Sequence, residues 1–483
     1  MNAFAQAVQN VNFAPATPQG VTANGAVTHA TSNNALVDLF FTIGAARGKD
    51  VSDKFLSAYQ ANPEIALRML FWARDVRGGA GERDTFRRLL KVVEAVNPAH
   101  ALVLVPLVPE YGRWDDLMAF ENPQVREVAL RLWSLNILDG NGLAAKWAPR
   151  KGPVANELRK RMKLDPKNYR KTLVRMTQVV ETAMCAKNWA DINYSHVPSV
   201  ASSRYAKAFN RNDPVRYAEF KASAVKGDVK INAQALYPYD VLKNIRSGDP
   251  ITALAQWNAL PNYLGDTGFI LPVVDTSHSM SCSVGPGKGQ LRCMDVAISL
   301  GLYLADKQQG PFANMFLNFD SDSKIHYLEG NLLQKLHTIE HCEWGGSTNL
   351  ESAFKETLRV AVMNQVPVAD MPKYLLVLSD MGFNPASHNA QQTMWDMAHQ
   401  MFERHGYSLP TVVWWNLSHR PGGFGGDANF PVQSHTQNTA LVSGFSPSIL
   451  KSVLQARTVT PWDIMMDTLS SVRYDAVGQV LAA

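Results

Sequence analysis

The chain reads as a multidomain protein: an all-α part of helical-repeat type, then an α/β part on a mostly parallel sheet. Two textures carry that reading. From Asn33 to about residue 261, apolar residues return at helical spacing in segment after segment. From residue 262, short apolar runs alternate with amphipathic stretches, the pattern of a sheet covered by helices on both faces. A third observation places a ligand site. Two apolar runs end on an aspartate, Asp275 and Asp380, and open α/β sheets bind ligands beyond the carboxyl ends of their strands.

Residues 1–30 are rich in Ala, Asn, Thr, Gln and Pro and nearly free of charge, so they are expected to form an extended or flexible arm. The helical part, residues 31–261, opens with ALVDLFFTIGAA. PEIALRMLFWARDVR follows, with Ile65, Leu67, Leu70, Phe71 and Val76 on one stripe. GGAGE breaks the chain, and RDTFRRLLKVVEAV, NPAHALVLVPLVPEYG and NPQVREVALRLWSLNIL continue it. Each break carries Pro, Gly or Asn, which predicts antiparallel helices joined by short turns. In residues 262–483, GFILPVVD, NMFLNF, KYLLVLSD, PTVVWWNL and TALVSG are expected strands, with KIHYL the hairpin neighbour of NMFLNF. QLRCMDVAISLGLYLADKQ, NLESAFKETLRVAVMN, NAQQTMWDMAHQMFERHG and SPSILKSVLQA are the expected helices.

Bulk composition narrows the class. Of 483 residues, 46% are hydrophobic and 18% charged, as in soluble globular proteins. No stretch approaches the ~20 apolar residues that span a bilayer, and MNAFAQAVQN lacks a basic and apolar leader pattern. The four cysteines, Cys185, Cys282, Cys293 and Cys342, have no C-x-x-C spacing. They read as buried or idle thiols of a reducing compartment, so a cytoplasmic location is expected.

LPVVDTSHSM supplies the chemistry. Asp275, Ser277 and Ser279 alternate along an extended exit from a strand, where alternate side chains point the same way. One carboxylate and two hydroxyls on one side suit a hard divalent cation, Mg2+ above all. Thr348 in the loop WGGSTNL and Asp380 at the end of LVLSDMG add two more oxygens at the same sheet edge. His278, between the two serines, is expected to point away. Each hydroxyl could instead cap a helix or turn.

Enzymatic readings fare poorly, and no catalytic residue is assigned. Ser277 and His278 are neighbours on an extended segment, so their side chains diverge, and no G-x-S-x-G elbow is present. GPGKGQ lacks the first glycine and the Ser/Thr of a phosphate loop. HTIEH matches an inverted zinc motif but runs at once into CEWGGST.

The net charge of +5 hides an asymmetry. Residues 1–139 carry 13 basic and 14 acidic side chains, residues 140–250 carry 21 and 9, and residues 251–483 carry 13 and 19. The middle block therefore stands at +12, which marks one surface for a polyanion. Lys146, Arg150, Lys151, Arg159, Lys160, Arg170, Lys171 and Arg175 lie in its densest stretch, and Lys187 and Arg204 follow. These ten are the candidate RNA contacts, since clustered Lys and Arg bind phosphates by releasing counterions. Trp147 and Tyr169 lie among them, either as stacking platforms for bases or as core anchors.

The motifs LAAKWAPR, YRKTLVRM, NWADINYSHVPSVASSRYAKAF and LVSGFSPSILK, with NALVDLFF and RDVRGGAGERDTF, resemble those of a family that joins a TROVE-like helical domain to a C-terminal von Willebrand factor A (vWA) domain. Its architecture is that of the Ro autoantigen proteins. The order Asp275, Ser277, Ser279, Thr348, Asp380 resembles a metal-ion-dependent adhesion site. The resemblance implies HEAT-like helical repeats closed into a ring by the vWA domain, and Mg2+ at the five oxygens, with Asp380 acting through water. It further implies a non-enzymatic RNA-binding protein for structured or misfolded RNA and single-stranded ends, with a protein ligand as a further partner at the metal. The alternative expectation is a vWA-based protein-interaction or assembly module without nucleic acid.

Overall fold

The computed structural model describes residues 19–177, 179–265, 269–285, 291–342, 346–385, 392–418, 429–456 and 459–482. In the N-terminal half, helix starts follow a local rule. Asn62, Asn97, Asn122, Asp165 and Asp249 each cap a helix by accepting a backbone N–H, and each is followed by proline at the first helical position. The side-chain oxygen satisfies an orphan donor, and proline has no N–H there to leave unsatisfied. Asn-Pro and Asp-Pro therefore separate successive helices along the chain.

The helix Pro63–Arg74 buries Leu67, Leu70 and Phe71, as the stripe predicts. Ile65 is only half-buried, and Val76 lies beyond the helix end and is exposed. The cause is local: Asp75 takes an extended conformation, and its carboxylate accepts the N–H groups of Arg77 and Gly78, which turns the chain out of the helix.

The expected α/β part is present as a six-stranded sheet. Its strands are numbered after two short N-terminal ones, β1 (Gln19–Val21) and β2 (Val27–His29). They are β3 (Ile270–Asp275), β6 (Met315–Phe319), β7 (Ile325–Tyr327), β8 (Tyr374–Ser379), β9 (Thr411–Asn416) and β10 (Thr439–Ser443). The intervening β4 (Ser283–Val284) and β5 (Leu291–Arg292) form a separate small ladder. The sheet order is β10-β9-β8-β3-β6-β7, parallel throughout except for β7, which runs antiparallel to β6 as its hairpin partner. β3 is buried along its whole length between β8 and β6. The chain crosses from one side of β3 to the other between β6 and β8, so the carboxyl ends of β3 and β8 flank the topological switch point. Helices Leu332–His341 and Pro461–Leu469 belong to this part in addition to those read from the sequence, and the C-terminal helix Asp475–Ala482 packs on Pro63–Arg74 and Pro98–Leu104 of the helical part.

The two parts interlock at both ends. The N-terminal helix Ala35–Ile43 lies against β10, and its last carbonyls are capped from the sheet. The Ser443 hydroxyl donates to Phe40 O at 2.7 Å, and the Asn416 amide donates to Phe41 O at 3.0 Å. Gly44 N–H in turn donates to the Ser443 hydroxyl at 3.1 Å. Described residues 19–29 of the arm form the β1–β2 hairpin, which is fastened to the α/β part: His29 and Phe430 exchange both backbone hydrogen bonds. From the other end, Arg473 pairs with buried Asp75, Tyr474 O–H donates to the same carboxylate, and Tyr111 stacks on Tyr474.

The helical part also returns to its own start. Tyr237 O–H donates to Ala80 O at 3.2 Å, and Arg47 reaches Tyr239 O–H at 3.4 Å while paired with buried Glu82. The Arg47 guanidinium lies over the ring of Phe445, next to β10, at 4.6 Å from its centroid. The turns after Ala35–Ile43 and Pro63–Arg74 therefore meet the start of the helix Pro238–Arg246 beside the α/β part.

A Cβ at Gly44 would stand 2.5 Å from the backbone oxygen of Ser443. Backbone cannot move aside as a flexible side chain can, so Gly44→Ala is expected to destabilise the protein by about 1–3 kcal/mol. Urea unfolding checks this; an unchanged midpoint would show that the seam is soft.

Candidate functional site

Asp275 ends β3, and a tight 3-10 turn follows at His278–Ser281. Ser277 N–H donates to Asp275 Oδ1 at 2.9 Å, which bends the chain so that both serine side chains turn inward. Ser277 Oγ and Ser279 Oγ lie 3.0 Å apart, and Ser279 donates to Asp380 Oδ1 at 3.2 Å. Asp275, Ser277, Thr348 and Asp380 are buried, Ser279 is half-buried, and the His278 side chain is exposed. Thr348 is held close by backbone links. Its carbonyl accepts Asn384 N–H at 2.9 Å, and Gly346 O accepts His278 N–H at 3.3 Å. The structure thus gathers Asp275, Ser277, Ser279 and Asp380 into one hydrogen-bonded chain of oxygens and ties the Thr348 loop to it.

Two further residues belong to this corner and were not read from the sequence. The Ser379 hydroxyl donates to Asp275 Oδ2 and accepts Met381 N–H at 3.0 Å. It stands beside Asp380 in LVLSD, and that adjacency was the available signal. Asn24, at the tip of the N-terminal hairpin, donates through Nδ2 to Thr348 Oγ1 at 3.2 Å and to Gly382 O at 2.6 Å. Beside it, the Thr22 hydroxyl donates to Phe383 O. Nothing local to residue 24 announces a contact 324 residues away in the chain.

The electrostatics suit a cation. Burial, reinforced by the charge of Asp380, pushes the Asp275 carboxyl up to about 7 against hydrogen bonds from Ser379 and Ser277. A dication would offset that cost, and carboxylate and hydroxyl oxygens without nitrogen or sulfur are the ligands of Mg2+. Among the described residues, no group of three or more His, Cys, Asp or Glu is placed to hold a metal, so a zinc-type site has no support there. The HTIEH segment is helical, but His337 stacks on His341, and Glu340 pairs with Arg246. Most of GPGKGQ, from residue 286, lies outside the described residues.

The ten basic candidates divide into two groups. Eight lie on or beside three successive packed helices, Gly142–Trp147, Pro153–Arg161 and Pro166–Met176. Arg150, Lys151, Lys160, Arg170, Lys171 and Arg175 are exposed, and Lys146 and Arg159 are half-buried. Arg159 bonds to Asn156, and the neighbouring acids Glu157 and Glu127 pair with Arg126 and Arg161. Among the described residues no carboxylate lies within ion-pair distance of Lys151, Lys160, Arg170, Lys171 or Arg175. Lys187 and Arg204 are exposed on the next unit, which has its own core around Ile192, Tyr194, Phe209 and Tyr217. The two aromatics are not platforms. Tyr169 is 1% exposed with its O–H on Pro149 O, and Trp147 packs half-buried beneath the Arg113 guanidinium at 3.9 Å. No helix among the described residues is long and apolar enough to cross a membrane.

Residues 22–117 and 150–268 match the model of a domain of unknown function, DUF2828, and residues 270–472 match that of another, DUF7788. The two matches meet at the start of β3. An uncharacterised protein of Acanthamoeba polyphaga mimivirus is 26% identical over 509 residues, covering 93% of this chain and 86% of its own. Among solved structures, the Ro (RSR) protein of Deinococcus radiodurans aligns over 90% of this chain and 88% of its own, at 14% identity and a TM-score of 0.34. A superposition that loose fixes neither the course of individual helices nor a shared site.

Two outcomes are expected. The ordinary carboxyl pKa is ~4. A folded-state value near 7 means that the native protein holds this proton more tightly than the unfolded chain. The stabilisation is complete below pH ~4 and is lost as pH rises through about 7, a change on the order of 4 kcal/mol. With chelator present, the thermal midpoint should fall across that window. Mg2+, which needs the ionised carboxylate, should restore it at the alkaline end and have little effect at the acid end. Asp275→Asn should abolish both responses, and a midpoint flat with pH in chelator contradicts the arrangement. Secondly, Asn24→Ala should weaken Mg2+ binding by about 10-fold in calorimetry while circular dichroism stays unchanged, because it removes the donor that orients Thr348. Equal affinity would show that Asn24 only holds the hairpin.

Proposed function

We propose that this protein is a non-enzymatic RNA-binding protein of Ro-like architecture, its helical part presenting a basic face to RNA and its α/β part a vWA-type Mg2+ corner. The observation that carries the reading is the exposed set Lys151, Lys160, Arg170, Lys171 and Arg175, none of which is within ion-pair distance of a carboxylate among the described residues. Unpaired cations on a surface favour a polyanion through counterion release. The contacts of Arg47 and Ala80 with Tyr239 and Tyr237, which bring early and late segments of the helical part together, are compatible with a ring-like plan.

The mode of recognition follows from the aromatics. With Tyr169 buried and Trp147 covered by Arg113, stacking on bases contributes little at this face. Binding is then to the phosphate backbone, tolerant of sequence and strongly dependent on salt. At the corner, Mg2+ would be held by Asp275, Ser277, Ser279 and Thr348, with Asp380 through water, and would supply charge neutralisation. Asn24 at the hairpin tip bonds to Thr348 at this corner, so a protein ligand there would meet the hairpin as well as the cation.

Fluorescence anisotropy with a single-stranded RNA across a KCl series tests the proposal. Each lost phosphate contact lowers the slope of log affinity against log salt by about 0.7 for a single strand. Combined Arg170→Glu, Lys171→Glu and Arg175→Glu should therefore weaken binding at least 10-fold and lower the slope by about 2. Affinity absent at low salt, or indifferent to the charge reversal, overturns it.

A further inference from the structure

Two of the four thiols, separate in the sequence, are neighbours in the fold. Cys282 immediately precedes β4 and Cys293 immediately follows β5. The register pairs Ser283 with Arg292 and Val284 with Leu291, which sets Cys282 opposite Cys293. Cys293 N–H donates to Cys282 O at 3.0 Å, and the two sulfurs lie 3.0 Å apart. Directly opposed residues of an antiparallel pair have Cα atoms ~4.5–5.5 Å apart, within the span a disulfide bridges. Only about 1 Å of sulfur movement separates this arrangement from a bond of ~2.05 Å.

We propose that Cys282 and Cys293 are an oxidation site that closes to an intrachain disulfide when the protein meets hydrogen peroxide. Access sets the order of events. Cys293 is buried at the start of the helix Cys293–Lys307, with its sulfur on Leu417 O at 3.5 Å. Cys282 is half-buried and is the sulfur an oxidant reaches first. The Cys282 thiolate attacks one peroxide oxygen; the S–O bond forms, the O–O bond breaks, and the other oxygen leaves as water after taking a proton. The Cys293 sulfur then attacks the sulfenic sulfur; the S–S bond forms, the S–O bond breaks, and a second water leaves with the Cys293 proton. Two thiols and one peroxide give one disulfide and two waters. Neither step needs a metal, so the proposal stands whether or not the nearby corner holds a cation. Cys282 also follows the turn His278–Ser281 that carries Ser279, so the bond fastens that turn to the helix behind it.

The test uses the full-length protein, reduced, freed of reductant and exposed to hydrogen peroxide at neutral pH. Remaining thiols are blocked with N-ethylmaleimide, and the digest is read by mass spectrometry. The expected result is a linked peptide pair joining Cys282 to Cys293, lighter by two hydrogens, reversed by dithiothreitol and formed in most molecules while Cys185 and Cys342 are alkylated. In Cys293→Ser, Cys282 should accumulate as a sulfenic acid that dimedone traps; in Cys282→Ser, Cys293 should stay reduced. Both thiols alkylated in the wild-type protein, over-oxidation of Cys282 without a bridge, or pairing with another cysteine overturns the proposal.

Discussion

The capping of one helix by two strands organises much of this molecule. A helix leaves its last carbonyls without partners, and burying them unpaired is costly. Ser443 at the end of β10 and Asn416 at the end of β9 donate to the carbonyls of Phe40 and Phe41, and this draws Ala35–Ile43 onto the sheet. Only a residue without Cβ fits at position 44, where the strand's backbone oxygen lies in contact range. With that helix fixed, the preceding hairpin has little choice but to run along the α/β part, where Phe430 pairs with His29 and Asn24 reaches the oxygen corner. The N-terminal segment is thus structurally a piece of the C-terminal part.

How much of this the sequence reveals depends on the range of the interaction. β3, β8, β9 and β10 are legible because strands buried on both faces must be continuous apolar runs. The oxygen cluster is legible because Asp275, Ser277 and Ser279 are neighbours in the chain and alternate on an extended exit. Asn24 is illegible for the opposite reason: it sits in an uncharged segment with no periodicity, and its partner is Thr348. The helix Leu332–His341 is hard to read because it buries only Leu332, Leu336 and Ile339 and leaves Leu333 exposed among polar residues. Cys282 and Cys293 read as idle thiols because spacing alone does not show a hairpin register.

Charge shows the same division. The arginines of the first helices are committed internally: Arg47 to Glu82, Arg74 and Arg87 to Asp116, and Asp75 accepts Arg473 from the far end of the chain. Removing one partner of such a buried pair leaves an uncompensated charge, so these residues serve the fold. Around the block from Lys146 to Arg175 the acids Glu127 and Glu157 are already engaged, and Lys151, Lys160, Arg170, Lys171 and Arg175 face solvent. Sequence counting identifies the excess, but only the packing separates arginines that hold the structure from those free to meet a ligand.

The corner at the switch point follows the same logic with the sign reversed. Placing Asp275 and Asp380 together in a buried position raises the energy of the ionised state, and hydrogen bonds from Ser379 and Ser277 relieve only part of it. A protein without use for that arrangement would be more stable with one acid replaced by an amide. The hairpin tip adds a second constraint, since Asn24 orients Thr348 from a segment that must first dock through the Gly44 seam. The oxygen corner, the hairpin and the seam between the two parts are therefore mechanically connected. Loosening the seam should be felt at the corner, because the hairpin that carries Asn24 is the direct link between the two.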